Sequence, residues 1–229
     1  MSDVSLSKSE KIVKPGGLLA ILGGGQLGRM TAMAARTMGY RVRVMDPEPA
    51  CPASFVADET IVGRWDDVDA ARRLAAGADV VTLEIEQIGV DALRVVESLA
   101  PLRPGVEPIR IIQDKTLQKT WLAENGFPVG PFRVVRSEAE LREAAAALGG
   151  DVFVKTGRGG YDGRGQARVG ASHGTDFGRV WRDLGERPAV VEKALDLECE
   201  ISVMAARNPS GEVRAFPAAR NHHENQILA

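Results

Sequence analysis

The chain has 229 residues, with 44% hydrophobic and 26% charged side chains and a formal net charge of -2, values typical of a soluble globular protein. The lack of a basic surplus argues against a nucleic-acid-binding protein, and no apolar run approaches the roughly 18 residues that span a bilayer. The two cysteines, Cys51 and Cys199, form neither a disulfide framework nor a metal-ligand spacing, so we expect reduced thiols and a cytoplasmic α/β protein.

Strands and helices are predicted to alternate in the first half of the chain. Residues 1–16 are polar and lack the apolar core of a signal peptide, so they are predicted to be a disordered lead-in. The run Leu18–Leu22 predicts a buried strand, and a helix over 26–38 is predicted from helically spaced apolar residues. These residues are Leu27, Met30, Met33, Ala34 and Met38. Further predicted elements are strands at Arg41–Met45 and Asp79–Leu83 and helices at 66–76 and Val90–Leu99. The alternation predicts right-handed βαβ units on a parallel sheet.

The second half is predicted to be a separate unit, reached through a proline-rich connector at 100–110. A helix is predicted over Lys115–Glu124 with Asp114 as its N-cap. The spacing of Ser137-Glu-Ala-Glu140 is that of a capping box, which opens an alanine-rich helix. The other predicted elements are strands at Phe132–Val135, Asp151–Val154, Gln166–Val169, Ala189–Glu192, Ile201–Ala205 and Val213–Ala218, and a helix around 175–184.

The loop after the strand Asp151–Val154 is the strongest functional signal in the sequence. It reads Lys-Thr-Gly-Arg-Gly-Gly-Tyr-Asp-Gly-Arg-Gly-Gln from Lys155 to Gln166 and offers almost no apolar surface to a core. Glycines let backbone N–H groups approach an anion closely, and Lys155, Arg158 and Arg164 add positive charge. We interpret the segment as a polyphosphate-binding loop, the alternative being a flexible surface turn.

A second glycine-rich turn, Gly23-Gly-Gly-Gln-Leu-Gly28, lies between the first predicted strand and helix. It fits the pattern G-x-G-x-x-G, and Asp46 after the next strand has the place of the ribose-binding acid of dinucleotide folds. The same turn would present a helix N-terminus to any phosphate, or serve only close helix packing. We therefore expect a phosphate site here and leave the cofactor open.

Acidic residues follow another strand of the same predicted sheet. Glu84 and Glu86 come directly after Asp79–Leu83, at the strand end where open parallel sheets place their ligands. They suit ribose hydroxyls or a substrate amine, and a solvated strand end is the alternative interpretation.

Further candidate ligand contacts lie near the end of the chain. The segment Glu192-Lys-Ala-Leu195 ends an apolar strand and offers backbone groups and an apolar slot to an adenine, although exposed charges on an edge strand would look the same. Glu200 is placed to accept ribose hydroxyls. His222 and His223 point to opposite faces of an extended segment, so we expect no shared metal ion. One is interpreted as a ligand contact and the other as a surface residue.

Three motifs together resemble one family. They are Gly24-Gly-Gln-Leu-Gly-Arg-Met30, Gly159-Gly-Tyr-Asp-Gly-Arg-Gly-Gln166, and Asn221-His-His223 followed by Ile227-Leu228. From about Leu18 onward the chain resembles the N5-carboxyaminoimidazole ribonucleotide synthetases, ATP-grasp ligases of purine biosynthesis. The resemblance implies that ATP phosphorylates bicarbonate to carboxyphosphate, and that the amine of 5-aminoimidazole ribonucleotide captures the carboxyl group.

The resemblance also implies an ATP-grasp architecture. A Rossmann-like substrate domain would cover 17–112, a linker helix and an α+β lid domain 113–195, and the start of an incomplete C-terminal ATP-grasp domain 196–229. The implied ligands are ATP, Mg²⁺, bicarbonate and the ribonucleotide, with no nucleic acid or membrane partner. The implied full-length assembly is a homodimer.

Site residues follow from the resemblance position by position. The implied substrate contacts are Gly25, Gln26, Leu27 and Glu84. The implied catalytic residues are Lys155, Tyr161 and Asp162, of which Lys155 would neutralise phosphate charge. Adenine would meet the backbones of Glu192 and Leu195. The implied ATP contacts are Lys115, Lys155, Gly160, Tyr161, Asp162, Gly163, Arg164, Gly165, Gln166, Glu192, Lys193, Ala194, Leu195, Glu200 and His223.

Two features depart from the family pattern. Lys115 stands where an arginine is common, which keeps the charge and loses bidentate geometry. The acidic and Asn-Glu ligands of Mg²⁺ are expected beyond Ala229, so we expect a shortened chain that does not turn over by itself. The alternatives are another ATP-grasp ligase, such as formate-dependent glycinamide ribonucleotide transformylase, an NAD-dependent dehydrogenase, and a non-catalytic nucleotide-binding module.

Overall fold

The structure, a computed structural model, describes residues 12–159, 165–170, 176–208, 210–224 and 227–228. The chain divides into two units, Met1–Arg110 and Ile111–Ala229. Among the described residues, no helix has the length and apolar character that crossing a membrane requires.

The first unit is a parallel sheet flanked by helices. Its elements are β1 (Leu18–Leu22), α1 (Gln26–Thr37), β2 (Arg41–Asp46), a single 3-10 turn (Pro52–Phe55), β3 (Glu59–Val62), α2 (Val68–Ala75), β4 (Val80–Leu83), α3 (Val90–Leu99), β5 (Leu102–Arg103) and α4 (Val106–Ile112). The strands are hydrogen-bonded in the order β3-β2-β1-β4-β5, and every pair is parallel. The predicted βαβ units and parallel sheet are confirmed.

The residues of β1 alternate between two apolar cores, as a strand at the centre of a two-faced sheet requires. Ala20 and Leu22 are buried together with apolar residues of α2, α3 and α4. Ile21 is buried on the opposite face with Ala32 and Ala35 of α1. The N-terminus of α2 is capped by Asp67, whose carboxylate accepts the N–H groups of residues 69 and 70.

Helix α1 packs through small residues and not through its large apolar ones. Its buried residues are Gly28, Ala32 and Ala35, while Leu27 is 63% and Met30 64% exposed. The apolar periodicity predicts the helix correctly, but the face that it marks points to solvent in this unit. Periodicity cannot distinguish the two faces, because alanine and glycine pack closely against a sheet without contributing a strong apolar signal.

Four short elements of this unit are not predicted by the sequence: the 3-10 turn, β3, β5 and α4. The prolines near residue 105 were expected to form a connector, yet Pro108 lies inside α4 as its third residue. A proline is tolerated there because the N–H groups of a first helical turn have no partner within the helix.

Part of the expected disordered lead-in belongs to the fold. The N–H of Gly16 donates to the carbonyl of Gly39 at 2.7 Å, and the hydroxyl of Tyr40 donates to the carbonyl of Val13 at 3.0 Å. Residues 12–16 therefore lie against the turn after α1.

The second unit contains an antiparallel sheet and a series of short strand pairs. Its elements are α5 (Lys115–Glu124), β6 (Phe132–Val135), α6 (Glu138–Ala147), β7 (Val152–Thr156), β8 (Gln166–Val169), α7 (Phe177–Asp183), β9 (Ala189–Lys193), β10 (Glu200–Ser202), β11 (Ala205–Arg207), β12 (Val213–Ala215), β13 (Ala219–Asn221), β14 (His223–Glu224) and β15 (Ile227–Leu228). The four-stranded sheet has the order β6-β9-β7-β8 with antiparallel pairing throughout.

Helices α6 and α7 share one apolar core with this sheet, in which Leu141 and Trp181 are buried against the valines of β7 and β9. Of the predicted capping box at α6, the Ser137 bond is present, and the return bond from Glu140 reaches the residue before the cap. The Ser137 hydroxyl accepts the N–H of Glu140 at 3.2 Å, and the Glu140 carboxylate accepts the N–H of Arg136, one residue before the cap, at 2.7 Å.

The strands after β9 form separate pairs: β10 with β13, β11 with β12, and β14 with β15. The residues of β10, β11 and β12 are all exposed. The single strand predicted over Ile201–Ala205 is therefore wrong, because the chain leaves β10 at Ser202 and enters β11 at Ala205. The turn between β11 and β12 is closed by Asn208, whose side-chain oxygen accepts the N–H of Glu212 at 2.9 Å.

Candidate functional site

The sheet of the first unit has a topological switch point beside its central strand. The chain runs from β1 outward to β2 and β3, then returns to β4 on the other side of β1. At such a switch point the loops after the two central strands diverge, and open parallel sheets bind ligands there. The glycine turn follows β1 and Glu84 follows β4, so the structure brings these two predicted features together.

Two carboxylates hold the glycine turn from opposite sides. Glu84 accepts the N–H of Gly25 at 2.9 Å and that of Gly28 at 3.1 Å. Asp46 accepts the N–H of Gly24 at 2.8 Å, and its second oxygen accepts the N–H of Glu48 at 2.9 Å. The N-cap residue Gly25 has no side chain that could cap α1. The Glu84 carboxylate takes this role and places a negative charge at the N-terminus of the helix.

Side-chain packing explains why the turn consists of glycines. A Cβ at Gly25 would lie 2.7 Å from Glu84 Oε1, and one at Gly24 would overlap the sulfur of Cys51. Cys51 is buried, and this burial raises the pKa of its thiol. The cysteine acts here as a small apolar residue that fills the space beside the turn.

Asp46 has a structural function in this arrangement. Its side chain is 8% exposed, and both of its oxygens accept backbone N–H groups. The interpretation of Asp46 as a ribose-binding acid is therefore not supported. This acid was one of the two features that suggested a dehydrogenase, the other being the glycine turn. Gln26 and Leu27, also predicted to contact substrate, are exposed at the start of α1.

The basic glycine loop of the second unit begins and ends on adjacent strands. Lys155 of β7 pairs with Gln166 of β8, and the N–H of Thr156 donates to the carbonyl of Gly165 at 2.9 Å. The predicted residues Gly160, Tyr161, Asp162, Gly163 and Arg164 lie outside the described residues. The described ends therefore show that the loop connects the adjacent strands β7 and β8.

Helix α5 fixes the first part of this loop. The N–H of Lys115 donates to the carbonyl of Gly157 at 2.7 Å, and its ammonium donates to the carbonyl of Gly159 at 3.2 Å. Asp114 caps the helix by accepting the N–H of Thr116 at 2.9 Å and forms an ion pair with Arg158 at 3.1 Å. Lys115, ordinarily a solvated residue on a helix, is brought to the loop by these contacts.

Glu192 lies between two lysines at the centre of the site. One oxygen is 2.6 Å from the ammonium of Lys155, and the other is 2.8 Å from that of Lys119. Burial acts to raise the pKa of the Glu192 carboxyl, but the hydrogen bonds from both lysines outweigh it and hold the pKa below its ordinary value. Glu192 therefore remains ionised and orients both ammonium groups.

Asp114 behaves in the same way. Burial acts to raise the pKa of its carboxyl, and the hydrogen bonds from Thr116 and Arg158 bring the pKa below the ordinary value. Around the base of the loop, the two carboxylates Asp114 and Glu192 face four cations. These cations are Lys115, Lys119, Lys155 and Arg158. Among the described residues, these side chains carry two more positive than negative charges beside a glycine-rich backbone, an arrangement that suits a polyphosphate.

The end of β9 carries the predicted adenine segment. The N–H of Lys193 donates to the carbonyl of Pro131 at 2.9 Å, and that of Ala194 donates to the carbonyl of Asp151 at 3.0 Å. Leu195 follows these paired residues, and its side chain lies close to Gly130, where a Cβ would be 3.1 Å from Leu195 Cδ1. Leu195 is half exposed, so it offers an apolar surface next to the paired backbone.

The other predicted nucleotide contacts lie in the later strand pairs. Glu200 pairs with Asn221 across β10 and β13, and its carboxylate accepts the side-chain amide of Asn221 at 2.7 Å. His223 belongs to β14, where its backbone pairs with Leu228.

Sequence reasoning missed Lys119 and the role of Asp114 beyond capping. The available signal is helical spacing, since Lys119 follows Lys115 by one turn on a helix whose N-terminus meets the glycine loop. Within the described part of the chain, no three His, Cys, Asp or Glu side chains are grouped as metal ligands.

Comparisons with known proteins agree with this geometry. The ribonucleotide synthetase preATP-grasp domain family matches residues 18–113, and the ATP-grasp domain family matches residues 120–229. The N5-carboxyaminoimidazole ribonucleotide synthase of Brucella melitensis is 41% identical over 217 residues, which are 95% of this chain and 60% of that protein. The chain belongs to the N5-carboxyaminoimidazole ribonucleotide synthase family.

Solved structures of this family have the same fold. The Staphylococcus aureus synthetase complexed with ADP has a TM-score of 0.90 at 34% identity, and the match covers 97% of this chain and 59% of that one. The Aspergillus clavatus synthase in complex with ADP and 5-aminoimidazole ribonucleotide has a TM-score of 0.77 at 29% identity, with 97% and 56% covered. These matches confirm the predicted ATP-grasp architecture. The chain spans 56% to 60% of the length of these relatives.

Proposed function

We propose that this chain serves an ATP-dependent ligase that carboxylates 5-aminoimidazole ribonucleotide with bicarbonate. The product is N5-carboxyaminoimidazole ribonucleotide, an intermediate of purine biosynthesis. The observation that carries the proposal is the cluster of four cations around the glycine loop of the second unit, in a chain of this family. Relatives solved with ADP, and in one case with the ribonucleotide as well, support the same assignment.

The reaction has two steps. A bicarbonate oxygen attacks the γ-phosphorus of ATP, and the bond from that phosphorus to the bridging oxygen breaks, which releases ADP and forms carboxyphosphate. The amine nitrogen of the ribonucleotide then attacks the carboxyl carbon, phosphate leaves with its oxygen, and the nitrogen loses a proton. Because the first step moves charge among phosphate oxygens, cations fixed in advance stabilise it most.

Lys155 and Lys115 are proposed to hold the phosphates of ATP, since both ammonium groups lie at the base of the glycine loop. Tyr161 and Asp162, in the same loop, are proposed to face bicarbonate and the ribonucleotide. The backbone after Glu192 and the side chain of Leu195 are proposed to receive adenine. Glu200 and His223 complete the proposed nucleotide contacts, as do Gly160, Gly163, Arg164, Gly165, Gln166, Lys193 and Ala194.

The glycine turn of the first unit is proposed to receive the ribonucleotide. The N-terminus of α1 favours its phosphate at Gln26 and Leu27, while the N–H groups of Gly25 and Gly28 are bonded to Glu84. Glu84 would then face the hydroxyl or amine groups of the substrate, which donate hydrogen bonds to a carboxylate. In this proposal the complete enzyme is a cytoplasmic homodimer that uses Mg²⁺, whose ligands lie outside the described residues.

Nucleotide binding by the 229-residue chain provides the first test. We expect Mg-ATP or ADP to raise the thermal unfolding temperature, and NAD(H) to leave it unchanged. The change Lys155→Met should weaken ATP binding at least about tenfold, because one charged hydrogen-bond donor is lost. Lys14→Met, a change at an exposed lysine of the first unit, is the control and should bind normally.

Activity in a chain of the relatives' full length provides the second test. ADP release should require both bicarbonate and 5-aminoimidazole ribonucleotide. Stabilisation by NAD(H) and not by ATP would overturn the proposal, as would ADP release that depends on formate and glycinamide ribonucleotide.

A further inference from the structure

Lys119 does not belong to the glycine loop, but it contacts the same carboxylate, Glu192, as the loop residue Lys155. It lies one turn after Lys115 on α5, and its ammonium is 2.8 Å from Glu192 Oε1. The lysine side chain is 27% exposed and the glutamate 16% exposed. A lysine held this far from solvent against a single acidic partner has a defined position, in contrast to the solvated lysines of most helices.

The geometry divides the two oxygens of Glu192 between two lysines. Oε2 is 2.6 Å from Lys155 Nζ, and Oε1 is taken by Lys119. An ammonium has three N–H donors, so Lys155 keeps donors for another acceptor while one bonds to Glu192. If Lys119 were absent, both oxygens of Glu192 would be available to Lys155, and that pair would carry no net charge.

We propose that Lys119 is a positioning residue of the nucleotide site. By binding one oxygen of Glu192 it orients that carboxylate, keeps the three-residue cluster net positive and leaves Lys155 directed at phosphate. Lys119 acts on the nucleotide through Glu192 and Lys155 and not by direct contact. This inference rests on the proposed nucleotide binding by the second unit.

A double-mutant cycle measures the action of Lys119 through Glu192. The dissociation constant of ADP is determined by calorimetry for the wild type, Lys119→Met, Glu192→Gln and the double variant. We expect Lys119→Met to weaken ADP binding about tenfold, as expected for loss of one charged hydrogen bond. In the Glu192→Gln background the same change should have less than about a twofold effect, because the pair is already broken.

Two further variants separate positioning from folding. Lys119→Arg keeps a cation and should bind ADP within about threefold of the wild type, while Lys14→Met should match the wild type. A carboxyl NMR titration of Glu192 should show a higher pKa in Lys119→Met than in the wild type, because one of the hydrogen bonds that lower this pKa is removed.

The outcomes that contradict the inference are distinct. Equal losses of affinity from Lys119→Met in both backgrounds would mean that Lys119 acts independently of Glu192. An unchanged dissociation constant, or an unchanged Glu192 pKa, would remove the positioning role. If the wild type itself failed to bind ADP or ATP, the proposed function would fall and this inference with it.

Discussion

The turn Gly23–Gly28 and the loop after Lys155 both join a buried strand to the next element through several glycines. In the first, neighbouring side chains fill the space where a Cβ would lie, and two carboxylates bond to the turn. In the second, a Cβ at Gly157 would lie 3.0 Å from the carbonyl oxygen of Pro188, whereas one at Gly159 would have no described neighbour within 4 Å. Lysine and arginine lie at the base of this loop. Similar composition therefore occurs in an acidic turn that side chains fill, the closed turn, and in a basic loop that has free space at Gly159, the open loop.

This difference shows that glycine content alone does not identify a polyphosphate site. The closed turn uses glycine because a Cβ would overlap neighbouring side chains, and Glu84 already accepts the N–H groups of Gly25 and Gly28. The proposed polyphosphate site is the open loop, where cationic side chains lie beside glycines that let backbone N–H groups approach an anion. The charge of the side chains around each segment decides which of the two functions it has.

The largest expected effect comes from removing a carboxylate of the closed turn. Asp46→Ala should lower the free energy of unfolding by about 3 kcal/mol, because buried backbone donors lose their acceptor. Urea denaturation of the variant measures this value. Asp91→Ala, which removes an exposed carboxylate paired with Arg94, is the control and should change stability by less than about 1 kcal/mol. Equal losses in the two variants would mean that the turn does not depend on Asp46.

Adding a methyl group tests whether the two glycine segments differ in packing. Gly24→Ala should cost about 2 kcal/mol, since the new Cβ overlaps the sulfur of Cys51. Gly159→Ala meets no described neighbour within 4 Å, although its φ of +71° makes alanine unfavourable by about 1 kcal/mol. Cys51→Ala should recover part of the loss at Gly24 and none of the loss at Gly159. Absence of that coupling in thermal unfolding would contradict the packing explanation.

Glu192, the β9 carboxylate that contacts Lys155 at the base of the open loop, should contribute to stability in a pH-dependent way. The pKa of Glu192 is lowered in the fold, so its contribution is present above the ordinary glutamate pKa of about 4.3 and is lost as the pH falls through the lower folded value. Glu192→Gln should cost about 1.5 kcal/mol at neutral pH and progressively less below about pH 4. A stability difference that stayed constant down to acidic pH would refute this role.

The smallest expected effect concerns the exposed ion pair at the start of the open loop. Asp114→Asn keeps an oxygen for the N–H of Thr116 and removes the charge that faces Arg158, which is 60% exposed. Solvent screens such a pair, so stability should fall by only about 0.5 kcal/mol. Asp66→Asn, at the exposed pair with Arg64, is a matched control. A loss above about 2 kcal/mol at Asp114 alone would show that the pair anchors the loop more strongly than its exposure suggests.

The sequence predicts those parts of the fold that depend on local pattern. The helix Val90–Leu99 and the strand Phe132–Val135 have the predicted bounds, because strong periodicity and clear end signals specify them. The split of Ile201–Ala205 into two strands could not be predicted, since pairing with distant strands determines where such a short apolar segment bends. Long-range pairing leaves no signal in the local pattern.

The candidate site also contains residues that the sequence predicts and contacts that it does not. Lys155 and Lys115 could be proposed from the order of strand, lysine and glycine and from the resemblance, and the structure brings both to the loop. The ion pair between Lys119 and Glu192 could not be predicted from the sequence, because it joins a helix residue to a strand residue that is distant in the chain. Nor does the pattern G-x-G-x-x-G reveal that Glu84, from another strand, occupies its helix N-terminus.

Helix α1 rests on its sheet through Gly28, Ala32 and Ala35, so the helix contributes no side chain longer than a methyl group to this contact. The separation between packed elements follows the size of the side chains at their contact. Evolutionary drift toward leucine or valine at these positions would push the helix outward and draw its first amides away from the partner carboxylate. The composition of one buried stripe thus sets how closely the first amides of α1 approach Glu84, while the outward-facing methionines can vary without changing this distance.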